Sequence, residues 1–189
     1  MSKNDRCVLL MALINELGRR ESWCGETHVQ KAAYLAQNLQ NIPFNYDFLL
    51  YKHGPYSFEV TDELTALRAN NLLVVRAQPY PYGPTLSPSE LGRSMMLGRA
   101  ELIERYQPQL IEVAEICGGK GVAELERVAT AYFVTREAGA DASIRDRGVR
   151  VNKLKPHISE AEAMATMRNV DQMIAKFGSN EVRRPVEDR

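Results

Sequence analysis

The sequence predicts a mainly α-helical fold with a small β-sheet, and three observations support this fold class. Apolar residues recur at helical spacing in several stretches of the chain. Capping boxes, in which a Ser or Thr is followed three residues later by Glu or Gln, precede three of these stretches. Short runs rich in aromatic and β-branched residues lie between Gly, Pro or Asn residues in the first half, as expected of strands.

Two helices are expected to open the chain. The first covers residues 5–17, because the apolar residues from Leu10 to Leu17 form one stripe and Gly18 follows them. The second begins at a capping box formed by Thr27 and Gln30, and it ends before Pro43.

The remainder of the first half alternates strands with a third helix. Residues 46–51 (YDFLLY) predict a strand that is apolar on both faces and largely covered. Gly54 and Pro55 end it, and a helix is expected over residues 55–70. A strand over LLVVRA, a proline-rich turn over QPYPYGPT and a short return near Leu86 complete the order typical of a winged helix-turn-helix.

The second half is predicted to be helical. A capping box of Ser87 and Glu90 starts a helix that Pro108 kinks or restarts before it ends at Cys117. After the hinge GGKG, helical periodicity continues through two further segments to a last helix, which begins at residues 159–162. We expect one domain, residues 1–189, with a winged-helix-like sub-lobe at 1–86, a packed helical sub-lobe at 87–178 and a frayed tail at 179–189.

Composition limits the compartment and the partners of the chain. Lys plus Arg equals Asp plus Glu at 24 each, so the whole molecule has no net charge to attract nucleic acid over a distance. Cys7, Cys24 and Cys117 are an odd, widely spaced set that suits a reducing cytoplasm. The longest apolar run is far too short to cross a membrane, and the first residues lack a signal-peptide core. A cytoplasmic protein is expected.

Several motifs resemble a known family. QKAAYLAQ, then FLLYKHGPYS, then LRANNLL are similar to motifs of the Panacea-domain antitoxins, the SocA-like group, and of the related YwgA-type bacterial proteins. VATAYFV and VNKLKPHISEAEAM resemble the C-terminal helical half of the YwgA type. The resemblance covers about residues 5–177.

The resemblance implies an intracellular prokaryotic protein with a winged-helix-like core. For the Panacea group it further implies neutralisation of a partner toxin by protein–protein contact. The residues that match the family motifs are Lys31, Tyr34, Lys52, Gly54 and Pro55.

The third helix argues against ordinary DNA reading. A winged helix usually places one helix in the major groove, where phosphates require Lys and Arg. Here the third helix carries Glu59, Asp62 and Glu63 against Arg68. Its exposed face is expected to be acidic, which favours a polypeptide partner.

Basic residues are concentrated instead in residues 144–157, where Asp146 is the one acidic residue. This segment could contact phosphates or an acidic protein surface, or it could form a solvated helix edge. The nucleic-acid candidates are Arg145, Arg147, Arg150, Lys153 and Lys155.

No catalytic pattern emerges from the sequence. The three histidines are separated and lack HExxH or CxxC partners, and GGKG lacks the full phosphate-loop spacing. His53 and Ser57 are close in sequence, but we expect them to end a strand and to cap a helix. The chain is therefore expected to be non-enzymatic and to need no metal or cofactor.

The sequence thus predicts a regulator or antitoxin-like protein that binds a protein partner. The alternatives are a DNA-binding transcriptional regulator and a subunit of an anti-phage or other multiprotein assembly. Most aromatic residues near the first strand are expected in the core, whereas tyrosines that alternate with prolines suit a surface contact. The partner-binding candidates are Lys31, Tyr34, Lys52, Tyr80 and Tyr82.

Overall fold

The computed structural model describes residues 1–79, 83–139 and 142–177, and this part of the chain is mainly helical, as predicted. No helix within it is both long and apolar enough to cross a bilayer. The helices are α1 Lys3–Arg19, α2 Glu26–Asn38, α3 Phe58–Ala69, α4 Glu90–Leu97, α5 Ala100–Cys117, α6 Val122–Ala138, α7 Ile144–Leu154 and α8 Glu160–Phe177. The strands are β1 Leu49–Tyr51, β2 Gly54–Tyr56, β3 Leu73–Arg76 and β4 Thr85–Pro88.

The chain forms two compact units, Met1–Glu126 and Arg127–Arg189. The expected sub-lobes divided the chain at residue 86 instead, and that division stays a prediction, as does the single domain. The tail predicted to fray lies outside the described residues.

The core of the first unit is centred on α1. Every residue from Val8 to Ile14 is buried, and α1 packs against α5, α2 and β4. Ser2 caps the helix by accepting a hydrogen bond from the Asp5 backbone at 3.1 Å, so α1 begins two residues before the predicted start.

The start of α2 differs from the prediction. The helix begins at Glu26, with Gly25 as its N-cap, and Thr27 and Gln30 form no capping box. The Gln30 amide instead bonds both backbone polar groups of Ser57, at 2.9 and 3.0 Å. A tertiary contact therefore replaces the predicted local one.

The strands form two separate two-stranded sheets. β1 pairs with β2 in antiparallel register, Leu49 opposite Tyr56, and β3 pairs with β4, Leu73 opposite Pro88. The strand predicted over residues 46–51 is confined to Leu49–Tyr51. The expected start of the third helix at Pro55 is wrong, because Pro55 lies in β2 and α3 begins at Phe58. The capping box of Ser87 and Glu90 is also wrong, since the N-cap of α4 is Ser89.

The break in the fourth predicted helix lies earlier than expected. Gly98 and Arg99 separate α4 from α5, whereas Pro108 lies inside α5 at an exposed position. Proline removes one backbone donor and frees the carbonyl four residues earlier. On an exposed helix face water can bond that carbonyl, which explains why α5 continues.

In the second unit, α7 packs against α8. The predicted capping box at the start of α8 is confirmed: the Ser159 backbone donates to Glu162 at 3.0 Å, and Glu162 donates back to Ser159 Oγ at 3.3 Å. Gly148 allows the close approach, because a Cβ there would lie 2.9 Å from Met164 Cγ.

Candidate functional site

The β1–β2 hairpin and the first turn of α3 display apolar side chains. Leu49 and Tyr51 alternate with Leu50 along β1 and share one face of the hairpin. Leu49 is 42% exposed, Tyr51 58% and Phe58 59%. The prediction that this strand is covered on both faces is therefore wrong.

Three aromatic rings contact one another on this face. The ring centroids of Tyr51 and Tyr56 are 5.7 Å apart, those of Tyr56 and Phe58 5.1 Å, and those of Tyr51 and Phe58 6.4 Å. These separations lie in the range of favourable aromatic pairs. We call Leu49, Tyr51, Tyr56 and Phe58 the aromatic surface.

Buried polar side chains of α2 hold the hairpin in place. Lys31 Nζ donates to the carbonyl of Pro55 at 3.1 Å. Two residues further along, the backbone N–H and carbonyl of Ser57 both bond the Gln30 amide. Tyr56 Oη and Thr61 Oγ1 lie 2.7 Å apart, and Thr61 donates to Glu26 Oε1 at 2.8 Å. The aromatic surface is thus anchored through backbone and hydroxyl contacts to α2 and α3.

Acidic residues surround the aromatic surface. Glu59 follows Phe58 directly, and its carboxylate accepts a hydrogen bond from the backbone of Asp47 at 2.8 Å. Asp62 lies one helical turn beyond Phe58 and is exposed. Glu26 lines a cavity of about 250 Å³ together with the two tyrosines of the surface.

The acidity expected of the third helix is smaller than its sequence indicates. Glu63 is buried, and it pairs with Arg6 at 2.8 Å. The exposed face of α3 therefore presents Glu59 and Asp62 against Arg68. Sequence alone could not show this pairing, because Arg6 lies 57 residues away.

The structure corrects two of the partner-binding candidates. Lys31 and Tyr34 are each 1% exposed, so neither side chain offers a surface for direct contact. Lys31 supports β2, and the Tyr34 ring packs edge-on against Phe48 with centroids 5.2 Å apart. Both side chains therefore stabilise the fold of the first unit.

The remaining partner-binding candidates and family-motif residues lie in or beside β2, or outside the described residues. Lys52 is exposed at the tip of the β1–β2 hairpin, beside the aromatic surface. Gly54 and Pro55 are buried in β2, and Gly54 has a φ of 85°, a conformation that favours glycine. Tyr80 and Tyr82 lie outside the described residues.

Two of the five nucleic-acid candidates are buried. Arg147 makes two hydrogen bonds to the Asp171 carboxylate, at 2.7 and 2.8 Å, and these bonds raise the pKa of its guanidinium. Lys155 is buried just after α7. Both are corrections, because a phosphate could not reach these side chains.

The remaining three, Arg145, Arg150 and Lys153, are exposed on α7. Arg150 is paired with Glu137, which reduces its availability to another anion. The positive charge on this helix is therefore smaller than the sequence indicates.

His53 and Ser57 occupy different environments. His53 is exposed and its Nδ1 lies 3.3 Å from Glu126 Oε2, whereas Ser57 is fully buried at the start of α3. No hydrogen bond joins the two side chains in the described part of the chain.

The chain matches no protein-family model, and no curated protein matches it. The resemblance to the Panacea and YwgA groups therefore stays a prediction. Sequence reasoning expected the aromatic residues near the first strand, Tyr51 and Tyr56 among them, mostly in the core, and it missed Phe58. The turn signal at His53–Gly54 was the available clue, because a hairpin there would leave one face of β1 open.

Proposed function

We propose that this protein is a non-enzymatic regulator of the winged-helix type, antitoxin-like in action, that works by binding a protein partner. Binding takes place at the aromatic surface on β1, β2 and the start of α3. The resemblance of QKAAYLAQ and FLLYKHGPYS to antitoxin motifs supports the class, and the second of these motifs contains Tyr51 and Tyr56.

The observation that carries the proposal is the exposure of two large aromatic rings in mutual contact. Tyr51 and Phe58 each leave more than half of their surface in water. Tyr and Phe are enriched in the buried centres of protein interfaces, where a few aromatic residues contribute most of the binding energy. Covering these rings with a partner removes apolar area from water.

The surrounding charge indicates the chemistry of the partner. Glu26, Asp47, Glu59 and Asp62 are exposed around the aromatic surface, and Lys52 and His53 at the hairpin tip are the basic groups nearest to it in sequence. A complementary segment presents apolar anchors flanked by Lys or Arg. Nucleic acid fits this site poorly, because phosphates would meet carboxylates.

A binding measurement with defined variants tests the proposal. The partner is captured from cells of the source organism or taken from the adjacent reading frame, then purified and titrated by calorimetry. Tyr51→Ala and Phe58→Ala should each weaken binding at least 30-fold, about 2 kcal/mol or more, as expected for central aromatic anchors. Replacing Glu59 by Gln should slow association, because it removes part of the electrostatic attraction.

Leu97→Ala is the matched control. Leu97 is 77% exposed on α4, outside the aromatic surface, so its truncation should leave the affinity unchanged. Equal affinities for the wild type and both aromatic variants would overturn the proposal. So would an equal loss in Leu97→Ala.

DNA-binding transcriptional regulation is the second candidate function. The burial of Glu63 favours it, since one carboxylate fewer faces solvent on α3. Arg145 and Lys153 would supply phosphate contacts. A gel shift with the upstream region of the gene tests it: specific binding that weakens steeply with salt and is reduced in Arg145→Ala supports DNA, and no shift at low salt excludes it.

A further inference from the structure

A second feature of the first unit is a cavity of about 460 Å³, a size common among small-ligand sites. It lies between the segment before α2, the start of α2, the C-terminal half of α3, the residues leading into β4, and the glycine-rich loop before α6. The proposed protein-binding function makes no use of it.

Two helices begin at this cavity without a capping side chain. Gly25 is the N-cap of α2, and the first backbone hydrogen bond of α6 runs from Leu125 to the carbonyl of Gly121. Glycine has no side chain that could accept from the first N–H groups of a helix. Both glycines line the cavity.

The charges of the cavity favour an anion. Arg68 and Lys120 line it, as do Glu21 and Glu26, so the formal side-chain charges cancel. The Glu26 carboxylate is already engaged by Thr61. The two helix N-termini add roughly half a positive charge each, which leaves a net positive site.

Apolar side chains make up much of the remaining lining. Trp23, Leu64 and Leu86 line the cavity, and Trp23 Nε1 donates to the carbonyl of Gly83 at 3.2 Å. An aromatic or aliphatic group would be covered by these side chains.

His28 is a buried polar group at the same cavity. It is 1% exposed, and its Nε2 donates to the carbonyl of Lys120 at 3.0 Å, which ties the glycine-rich loop to α2. With the proton on Nε2, the other nitrogen, Nδ1, is an acceptor. Nδ1 has no hydrogen-bond partner among the described residues, so a ligand donor could occupy that position.

We propose that this cavity binds a small organic oxyanion with an apolar body. The oxyanion lies at the starts of α2 and α6 beside Lys120, and the apolar part packs on Trp23. A hydroxyl or N–H group on the ligand donates to His28 Nδ1. This inference goes beyond the proposed protein-binding function and does not depend on it.

A matched pair of fluorescent probes tests the site on the full chain. 8-Anilino-1-naphthalenesulfonate carries an apolar body and an oxyanion, and N-phenyl-1-naphthylamine is its neutral counterpart. Trp23 is the one tryptophan of the chain, so energy transfer to the probe reports proximity to the cavity. The sulfonate should bind with one-to-one stoichiometry, quench Trp23 and bind more tightly than the neutral probe.

Variants separate the oxyanion contact from simple apolar binding. Lys120→Ala should weaken sulfonate binding about tenfold, as expected for one charge-assisted contact, and leave the neutral probe unaffected. Arg76→Ala, which removes an exposed cation on β3 outside the cavity, is the control and should change neither. Equal binding of the two probes, or no effect of Lys120→Ala, would overturn the proposal.

Displacement of the sulfonate distinguishes the two sources of an oxyanion. Displacement by 3-phenylpropionate but not by a peptide ending in Phe assigns the site to a free organic acid. Displacement by that peptide with a free C-terminus, but not by its amide, assigns it to a polypeptide terminus. If neither compound displaces the probe, the proposal is wrong.

Discussion

Three polar side chains in the first half of α2 are buried because each completes the hydrogen bonding of another segment. His28 donates to the Lys120 carbonyl, Gln30 bonds Ser57, and Lys31 donates to the Pro55 carbonyl. A buried polar group without a partner costs about 1–3 kcal/mol. These contacts therefore fix the positions of the glycine-rich loop before α6 and of the segment that leads from β2 into α3.

The state of His28 predicts a pH dependence of stability. Burial lowers the pKa of the His28 imidazole, the bond to the Lys120 carbonyl opposes this, and the charge of Lys31 adds to it. The unfolded chain therefore takes up a proton first, near its ordinary pKa of 6.5. The contribution is complete above that pH, and the free energy of unfolding falls as the pH drops through 6.5 toward the lowered pKa.

Urea unfolding at pH values on both sides of 6.5 measures this effect. His28→Gln keeps a donor for the Lys120 carbonyl and does not titrate, so its stability should fall less steeply than that of the wild type. Parallel curves for the two proteins would show that the buried imidazole is not responsible.

At the scale of elements, the start of α4 is fixed by a very close backbone contact. A Cβ on Gly92 would lie 2.2 Å from the carbonyl oxygen of Leu72, which also accepts a hydrogen bond from the Ser89 backbone at 3.0 Å. A side chain there would have to displace backbone atoms, so only glycine allows α4 to pack at this distance.

Gly92→Ala should therefore lower the free energy of unfolding by about 2 kcal/mol or more, the upper range for overpacking. Gly18→Ala is the matched control, since a Cβ at Gly18 in α1 meets nothing within 4 Å. Alanine should be neutral there or stabilise the helix by up to about 1 kcal/mol. The urea concentrations at the unfolding midpoints of the two variants measure both effects. Similar midpoints would contradict the close contact between Gly92 and Leu72.

The elements differ in how well the sequence predicts them, and the reason is the range of the interactions. Helices with strong apolar periodicity, such as α1 and α8, were predicted because their signals are local. The Ser159–Glu162 box is confirmed for the same reason. The Thr27–Gln30 box is wrong, because Gln30 binds a residue 27 positions away.

The same limit applies to the candidate site. Tyr51 was expected in the core and Phe58 was given no role, since an aromatic residue carries no local sign of which face of a short hairpin it occupies. Lys31 and Arg147 were expected at the surface, because their partners, Pro55 and Asp171, are distant in sequence. Lys52, expected at the end of a strand, is exposed in the turn that follows β1, and its role in binding a partner stays a prediction.

At the scale of the whole molecule, charge neutrality has a consequence for solubility. The formal net charge is zero and the isoelectric point is about 6.8. Near that pH no long-range repulsion opposes contact between exposed apolar side chains such as Phe58 and Leu97.

Light scattering should therefore be greatest near pH 6.8 and decrease on both sides of it. Leu97→Glu should lower the scattering and move its maximum to a slightly lower pH, since it removes an exposed apolar group and adds a negative charge. A flat profile across this range would show that charge neutrality does not control self-association.

One residue stands at both proposed sites. Glu26 lines the larger cavity and also the smaller one beneath Tyr51 and Tyr56, and Thr61 links it to Tyr56. If this carboxylate couples the two sites, the coupling is reciprocal. The factor by which a bound small molecule changes the affinity for the partner then equals the factor by which a bound partner changes the affinity for the small molecule. Each ligand would then report on the other: the small molecule would regulate partner binding, and the partner would regulate binding of the small molecule to the same extent.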